Sequence, residues 1–156
     1  MIRRIIALIR YVLGYKEDSY SIMRKQIEEY RKNGVKIGSN CRIWGYIDTV
    51  NPHLIKIGNR VLLAGNARII THTPTKTDNL EVVIGDDVFI GYQAVIMPGV
   101  TIGEGALIGA CSKVINDVKP FTVVDGNPAK YLRDRDMDEL SRTKHEIIYN
   151  FPIGKA

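Results

Sequence analysis

The stretch that decides the fold runs from Ile84 to Val118 and reads IGDDVFIGYQAVIMPGVTIGEGALIGACSKVINDV. An aliphatic residue recurs there at every sixth position, usually followed by glycine. These aliphatic residues are Ile84, Ile90, Ile96, Ile102, Ile108 and Val114. Four positions after each of them comes a residue that is mostly small and aliphatic: Val88, Ala94, Val100, Ala106, Ser112 and Val118.

A period of six excludes both an α-helix and a simple alternating strand. Six helical steps of 100° turn a side chain off its starting face, and strand side chains alternate with a period of two. The period fits a short strand and a tight turn, with one large residue pointing inward and glycine at the bend. Three such units close a triangular coil, and stacked coils pair in parallel and bury their aliphatic side chains against each other. The sequence therefore predicts a solenoid.

The same phase continues towards the N-terminus but is broken twice. The upstream aliphatic positions are Ile37, Ile43, Ile57, Leu63 and Ile69. Extra residues separate Ile43 from Ile57 and Ile69 from Ile84. Inserted residues leave a solenoid as loops, often at the binding edge. The second break, THTPTKTDNLEV, contains His72 and predicts a loop at residues 71–83.

Helical patterns flank the repeats. Residues Tyr20 to Asn33 predict a helix that ends at Gly34, and residues from about Asp136 to Tyr149 predict another, with Met137, Leu140 and Ile147 on one side. We expect both helices to cap open ends of the solenoid. The predicted organisation is a helical cap at 1–34, the β-solenoid at 35–133 and a helical tail at 134–156.

The first fourteen residues, MIRRIIALIRYVLG, form an amphipathic pattern that is too short and too charged to span a membrane. Arg10 interrupts the apolar run and no small-residue cleavage site follows, which argues against a signal peptide. Two interpretations stay open: a helix docked on the protein itself or on another subunit, or peripheral contact with an anionic membrane. Both predict a cytoplasmic protein, the second at the inner face of the membrane.

Charge and cysteine content exclude some classes of function. The net charge is +5, but basic residues are scattered rather than interleaved with aromatic ones, so nucleic-acid binding is not expected. Cys41 and Cys111 form neither a disulfide framework nor a paired metal motif, and we interpret both as small core residues in a reducing compartment.

The repeats and the flanking segments DGNPAKYLRDR (125–135) and NPHLIKIGNRVLLAGNARIITH (51–72) resemble the hexapeptide-repeat acyltransferases. Similar stretches occur in galactoside, maltose and streptogramin acetyltransferases, and 51–72 is most similar to O-acetyltransferases of capsular and exopolysaccharide synthesis. The resemblance runs from about Val35 to Arg133. It implies a mainly β fold, a left-handed parallel β-helix, and a homotrimer with active sites between subunits.

The resemblance also implies a reaction. Acetyl-CoA is the expected co-substrate, without a metal, and His72 stands where the family places its catalytic histidine. A neutral imidazole there can take the proton of an attacking saccharide hydroxyl. Thr73 stands where the polysaccharide branch usually carries an acidic residue, which leaves the acceptor specificity and the orientation of the imidazole open. An amino group of a nucleotide sugar and an antibiotic are the alternative acceptors.

Further site residues follow from matching positions. The resemblance implies CoA contacts at Tyr92, Ala110, Ile115, Asn116, Lys130 and Arg133. The candidates for acceptor binding are Asn66, His53 and Trp44, with a turn, a surface position and solenoid packing as their respective alternatives.

Two rival functions share this fold. A γ-type carbonic anhydrase needs three neighbouring imidazoles, whereas this chain has three histidines in all, one of them (His145) in the predicted C-terminal helix. A non-catalytic scaffold needs neither His72 nor Lys130, and both are present.

Overall fold

A computed structural model describes residues 19–74 and 80–148. The predicted helix over residues 1–14, the centre of the loop at 71–83 and the last residues of the C-terminal tail lie outside this part. The described residues form helices α1 (Ser19–Lys32) and α2 (Met137–Ile148) and a short 3₁₀ helix at Pro52–Leu54. The strands are β1 (Lys36–Ile37), β2 (Arg42–Ile43), β3 (Tyr46–Ile47), β4 (Ile55–Ile57), β5 (Leu62–Leu63), β6 (Arg68–Ile69), β7 (Val82–Ile84), β8 (Phe89–Ile90), β9 (Val95–Ile96), β10 (Thr101–Ile102), β11 (Leu107–Ile108), β12 (Lys113–Val114), β13 (Thr122–Asp125) and β14 (Lys130–Asp134).

The strands form three sheets, each one side of a triangular solenoid. The first sheet has the order β1-β4-β7-β10, the second β2-β5-β8-β11-β13-β14, and the third β3-β6-β9-β12. Within these sheets the paired strands are parallel except β13 and β14. The predicted parallel coils are therefore confirmed.

The six-residue repeat places its aliphatic side chains inside the coils. The largest of the fully buried side chains are Ile43, Ile55, Leu63, Ile69, Ile84, Ile90, Ile96, Ile102 and Ile108. Full burial of such a side chain stabilises the fold by about 1.5–3 kcal/mol. The small residues four positions later are buried too, because they lie at the narrow corners.

Close stacking of the corners explains two kinds of residue there. A Cβ on Gly91 would lie 2.7 Å from the backbone nitrogen of Ala110 in the next coil, so only glycine fits. At the same corner Asn66, Gln93 and Cys111 have positive φ angles of 59°, 58° and 60°, a conformation that costs most residues free energy. Cys41 is buried, as expected, but the prediction for Cys111 is wrong: its position at the turn of the corner leaves it exposed.

In the structure the phase of the repeat changes at the corner between β2 and β3, before the inserted residues leave the coil. Strand β3 follows β2 after a shortened corner, and Ile47 takes the inward position. Gly45 permits this corner because a Cβ there would lie 2.3 Å from the carbonyl oxygen of Ala67. The inserted residues therefore leave the coil after β3, at residues 48–54.

Helix α1 covers the first coil, as predicted. It buries Met23, Ile27 and Tyr30, and the Tyr30 hydroxyl accepts a hydrogen bond from the Ile47 amide at 3.3 Å. The chain leaves the helix at Gly34, whose φ angle is +104°. The predicted helix that ends before Gly34 is confirmed.

The C-terminal end differs from the prediction in two respects. Strand β14 folds back antiparallel on β13. A parallel six-residue repeat does not predict this pairing. Helix α2 follows at Met137–Ile148. Leu140 is buried, as expected, whereas Met137 is exposed, so the two do not share a buried face.

Arg135 joins the end of the hairpin to the solenoid corner. Its side chain is buried, and Nη1 donates to the carbonyl oxygens of Gly105 at 2.8 Å and Asp87 at 3.3 Å. Burial lowers the pKa of this guanidinium. We expect Arg135→Met to lower the free energy of unfolding by about 2 kcal/mol, because buried carbonyls lose a charged donor.

Denaturant unfolding at fixed protein concentration tests this expectation. Arg142→Met is the matched control, since Arg142 is exposed on helix α2 and surface substitutions change stability by less than about 0.5 kcal/mol. Equal midpoints for the two variants would contradict a structural role for Arg135.

Within the residues that the structure describes, neither helix has the length and apolar character needed to cross a membrane.

Candidate active site

His72 and Asp48 meet where the two breaks in the repeat leave the solenoid. Asp48 directly follows β3, and His72 lies three residues beyond β6. Because β3 and β6 are parallel neighbours in the third sheet, both loops start at the same edge, by which we mean the corner that follows the carboxyl ends of the strands of this sheet. The imidazole Nδ1 of His72 lies 2.6 Å from Oδ2 of Asp48.

Asp48 is held as a buried anion. Its side chain is 7% exposed, Oδ1 accepts from the Val50 amide, and Oδ2 accepts from both the amide and the hydroxyl of Thr71, all at 2.9 Å. Burial alone would raise the pKa of Asp48, but the hydrogen bonds from Val50, Thr71 and His72 outweigh it and lower the pKa. Asp48 is therefore a carboxylate at neutral pH.

The carboxylate fixes the chemistry of the imidazole. An anionic oxygen at Nδ1 favours the tautomer that carries its proton there and leaves Nε2 as the basic nitrogen. His72 is 57% exposed and borders a groove of about 600 Å³, whose walls include Tyr46, Arg68 and Met97. The pair can thus take a proton from a molecule in this groove.

Asp48 supplies the acid that orients the imidazole, which the presence of Thr73 after His72 had left open. The acid comes from the first break rather than from the position after the histidine. Sequence reasoning treated the breaks separately and missed Asp48. The available signal was that both breaks follow strands that occupy the same side of adjacent coils.

None of the three candidates for acceptor binding lines the groove beside His72. Trp44 packs edge-to-face on Tyr20, with ring centroids 5.2 Å apart, and is partly buried against the core. His53 is exposed in the 3₁₀ helix. The side-chain amide of Asn66 donates to the Tyr92 hydroxyl at 3.0 Å. These contacts favour the packing alternative for Trp44 and the turn alternative for Asn66.

Four of the candidates for CoA contact flank the third sheet, at the corners before and after its strands. Tyr92 and Ala110 lie at the corner before it. Ile115 and Asn116 follow β12, on the same edge as His72. Along this edge Ile70, Met97 and Ile115 occupy equivalent positions after β6, β9 and β12.

A second groove, of about 560 Å³, continues from this edge. Its lining includes Asn116, Lys119 and Tyr131. Lys130 begins β14 and is exposed, whereas the guanidinium of Arg133 is paired with the Glu139 carboxylate at 3.0 Å. Of these two cations, Lys130 has no carboxylate paired with it among the described residues.

Comparison with known proteins identifies the family. A model of the bacterial transferase hexapeptide (six repeats) matches residues 81–116. Protein CapG of Staphylococcus aureus is 35% identical over 127 residues, which cover 72% of this chain and 74% of CapG. The chain belongs to the hexapeptide-repeat transferases. The resemblance inferred from sequence is confirmed.

Two further comparisons extend over most of the chain. Galactoside O-acetyltransferase of Escherichia coli is 34% identical over 133 residues, covering 80% of this hexapeptide-repeat transferase and 64% of the relative. The structure of a Vibrio cholerae hexapeptide-repeat acetyltransferase complexed with acetyl-CoA is 33% identical, with a TM-score of 0.56, over 66% of this chain and 61% of that one. The predicted left-handed parallel β-helix is thereby confirmed.

Other relatives match over a shorter part. Chloramphenicol acetyltransferases of several bacteria are 43–54% identical over 57–76 residues, so this hexapeptide-repeat transferase spans only 27–36% of their length. Within residues 19–74 and 80–148 the structure brings together no group of three histidine, cysteine, aspartate or glutamate side chains fit to hold a metal ion.

Proposed function

We propose that this protein transfers an acetyl group from acetyl-CoA to a hydroxyl of a saccharide, with His72 as the general base. The observation that carries the proposal is the 2.6 Å contact between His72 and the Asp48 carboxylate at the edge of a groove. A general base must lie within hydrogen-bond reach of the proton it removes and must itself be oriented. The contact with Asp48 orients the imidazole, and its exposure leaves Nε2 accessible to a hydroxyl in the groove.

The proposed reaction needs no covalent enzyme intermediate. Nε2 takes the hydroxyl proton while the hydroxyl oxygen attacks the thioester carbonyl, which forms a tetrahedral oxyanion. Collapse of this intermediate breaks the C–S bond, and the proton passes from the imidazole to the CoA sulfur. Neither cysteine contacts His72, which supports direct transfer. Backbone amides at the coil corners are candidate donors to the oxyanion, each worth about 3 kcal/mol.

The shared edge supports a path for CoA. Ile70, Met97 and Ile115 follow successive strands about 4.8 Å apart, so an extended pantetheine chain can run from His72 towards the groove at Asn116. Lys130, beyond that groove, is our candidate for contact with the nucleotide phosphates. Tyr92 and Ala110 lie on the other edge, and contact with the same CoA requires a neighbouring subunit, consistent with a homotrimer.

Similarity to galactoside O-acetyltransferase over 80% of the chain favours a saccharide acceptor. The exposed Tyr46 ring in the groove offers an apolar surface to a sugar. The chloramphenicol acetyltransferases favour an antibiotic as the second candidate, but the match covers about a third of their length. Because acetyl-CoA is an intracellular metabolite, the proposal implies a cytoplasmic enzyme; peripheral membrane contact through residues 1–14 stays a prediction.

Calorimetric titration with acetyl-CoA and CoA tests the use of acetyl-CoA without knowledge of the acceptor. We expect wild type and His72→Ala to bind acetyl-CoA alike, and Lys130→Ala to bind about tenfold more weakly because it loses a charged contact to phosphate. Lys36→Ala, which removes an exposed lysine of strand β1, is the matched control. No binding at millimolar ligand by a trimer confirmed by light scattering would favour the scaffold function instead.

A further inference from the structure

The outer surface of the third sheet carries a row of residues that reaches the groove beside His72. Strand pairing aligns Tyr46 with Arg68, Arg68 with Val95, and Val95 with Lys113. The next residues along each strand, Ile47, Ile69, Ile96 and Val114, are buried in the core. Because strand side chains alternate between faces, the aligned row points outward.

Arg68 has no acid beside it among the described residues, unlike several other arginines. The guanidinium groups of Arg31, Arg60 and Arg133 are paired with Glu28, Asp87 and Glu139. Arg68 is exposed, and no hydrogen bond or ion pair joins its guanidinium to another described residue.

Asp48 lines the same groove as Arg68, but its carboxylate oxygens are already hydrogen-bonded to other groups. Its two oxygens already accept from Val50, Thr71 and His72, and its side chain is almost completely buried. Arg68 therefore brings an available positive charge to a groove that also contains the proposed base. Lys113 adds a second cation about 10 Å away along the row, at two strand spacings.

We propose that the acceptor is an anionic saccharide whose phosphate or carboxylate pairs with Arg68 while its hydroxyl meets His72. The inference rests on the proposed function and names the substrate class of the same site. A guanidinium presents a planar fork of N–H donors that matches the oxygens of a carboxylate or phosphate, and such charge-assisted pairs are stronger than neutral hydrogen bonds. A neutral sugar would offer no anionic group to the Arg68 guanidinium, whose N–H donors would then stay bound to water.

The test measures binding, so that it stays independent of turnover. Galactose, galacturonate and galactose 1-phosphate share a ring but differ in charge, and their dissociation constants are measured by ligand-observed NMR with CoA present. We expect wild type to bind at least one of the two anionic sugars about tenfold or more tightly than galactose. The stronger of the two identifies carboxylate or phosphate as the partner of Arg68. Raising the salt concentration should reduce the difference.

Variants assign the preference to one side chain. Arg68→Gln should bind the three sugars equally, Arg68→Lys should keep part of the preference, and Arg24→Gln, a matched charge change on helix α1, should behave like wild type. His72→Ala should keep the preference, so that a failure of the catalytic proposal would not remove it.

Equal affinities of wild type for the three sugars would overturn the inference, as would a lack of detectable binding of both anionic sugars. A loss of CoA affinity in Arg68→Gln with the sugar preference unchanged would overturn it as well, because Arg68 would then serve the co-substrate.

Discussion

The variant His72→Ala is expected to transfer acetyl about a thousandfold more slowly than wild type and to bind acetyl-CoA equally well. General-base catalysis contributes about 10²–10⁴-fold, and the alanine variant has no imidazole in the groove to take the proton. The rate is measured as release of the CoA thiol with a saturating sugar acceptor. A fall in the turnover rate with an unchanged KM for acetyl-CoA is the signature of an interaction made only in the transition state.

The matched control is His145→Ala, which removes a histidine from the C-terminal helix. It should keep the wild-type rate. Equal rates for His72→Ala and wild type would contradict the role of His72, and the acetyl transfer would then need another base.

The second large effect is expected for Asp48→Asn, which should lower the turnover rate about a hundredfold. The asparagine keeps the shape of the side chain but removes its charge and replaces one acceptor oxygen by a donor. Oδ2 of Asp48 accepts from Thr71 and faces Nδ1 of His72, so an amide cannot satisfy all these groups. The imidazole then loses the acceptor that holds the proton on Nδ1.

The pH dependence of the rate adds a separate check on Asp48. The hydrogen bonds that lower its pKa keep the wild-type carboxylate ionised below the ordinary range of an aspartate, so we expect Asp48 to add no second ionisation to the acid side of the rate profile. Two ionisations there would contradict this description of Asp48.

The solenoid could be predicted because each of its strands and corners is specified by residues that lie close together in the sequence. A six-residue period constrains each strand and corner directly, and the aliphatic residues that recur from Ile84 to Val114 are buried as the period requires. Ile47 was not predicted because the corner at Gly45 is shorter than the repeat. Glycine is needed there because a Cβ would lie 2.3 Å from the carbonyl oxygen of Ala67 in the next coil. Strand β14 was not predicted because a strand that returns antiparallel does not follow the six-residue period.

The site was only half predictable for the same physical reason. His72 stands out as a titratable residue at a break in a regular pattern. Asp48 lies 24 residues earlier, and its contact with His72 depends on which strands become neighbours. Once β3 and β6 are known to pair, the two loops must start side by side. Arg68 could not be recognised from sequence, because its significance lies in the absence of an acid beside it among the described residues.

The pairing of His72 with Asp48 is the central claim, and a double-variant cycle tests it most directly. Thiol-release rates are measured for wild type, His72→Ala, Asp48→Asn and the double variant, each confirmed to bind acetyl-CoA. If Asp48 acts through His72, the double variant should be no slower than His72→Ala, because residues that work as a unit are not additive. A further hundredfold loss in the double variant would contradict the account, since Asp48 would then act independently of His72.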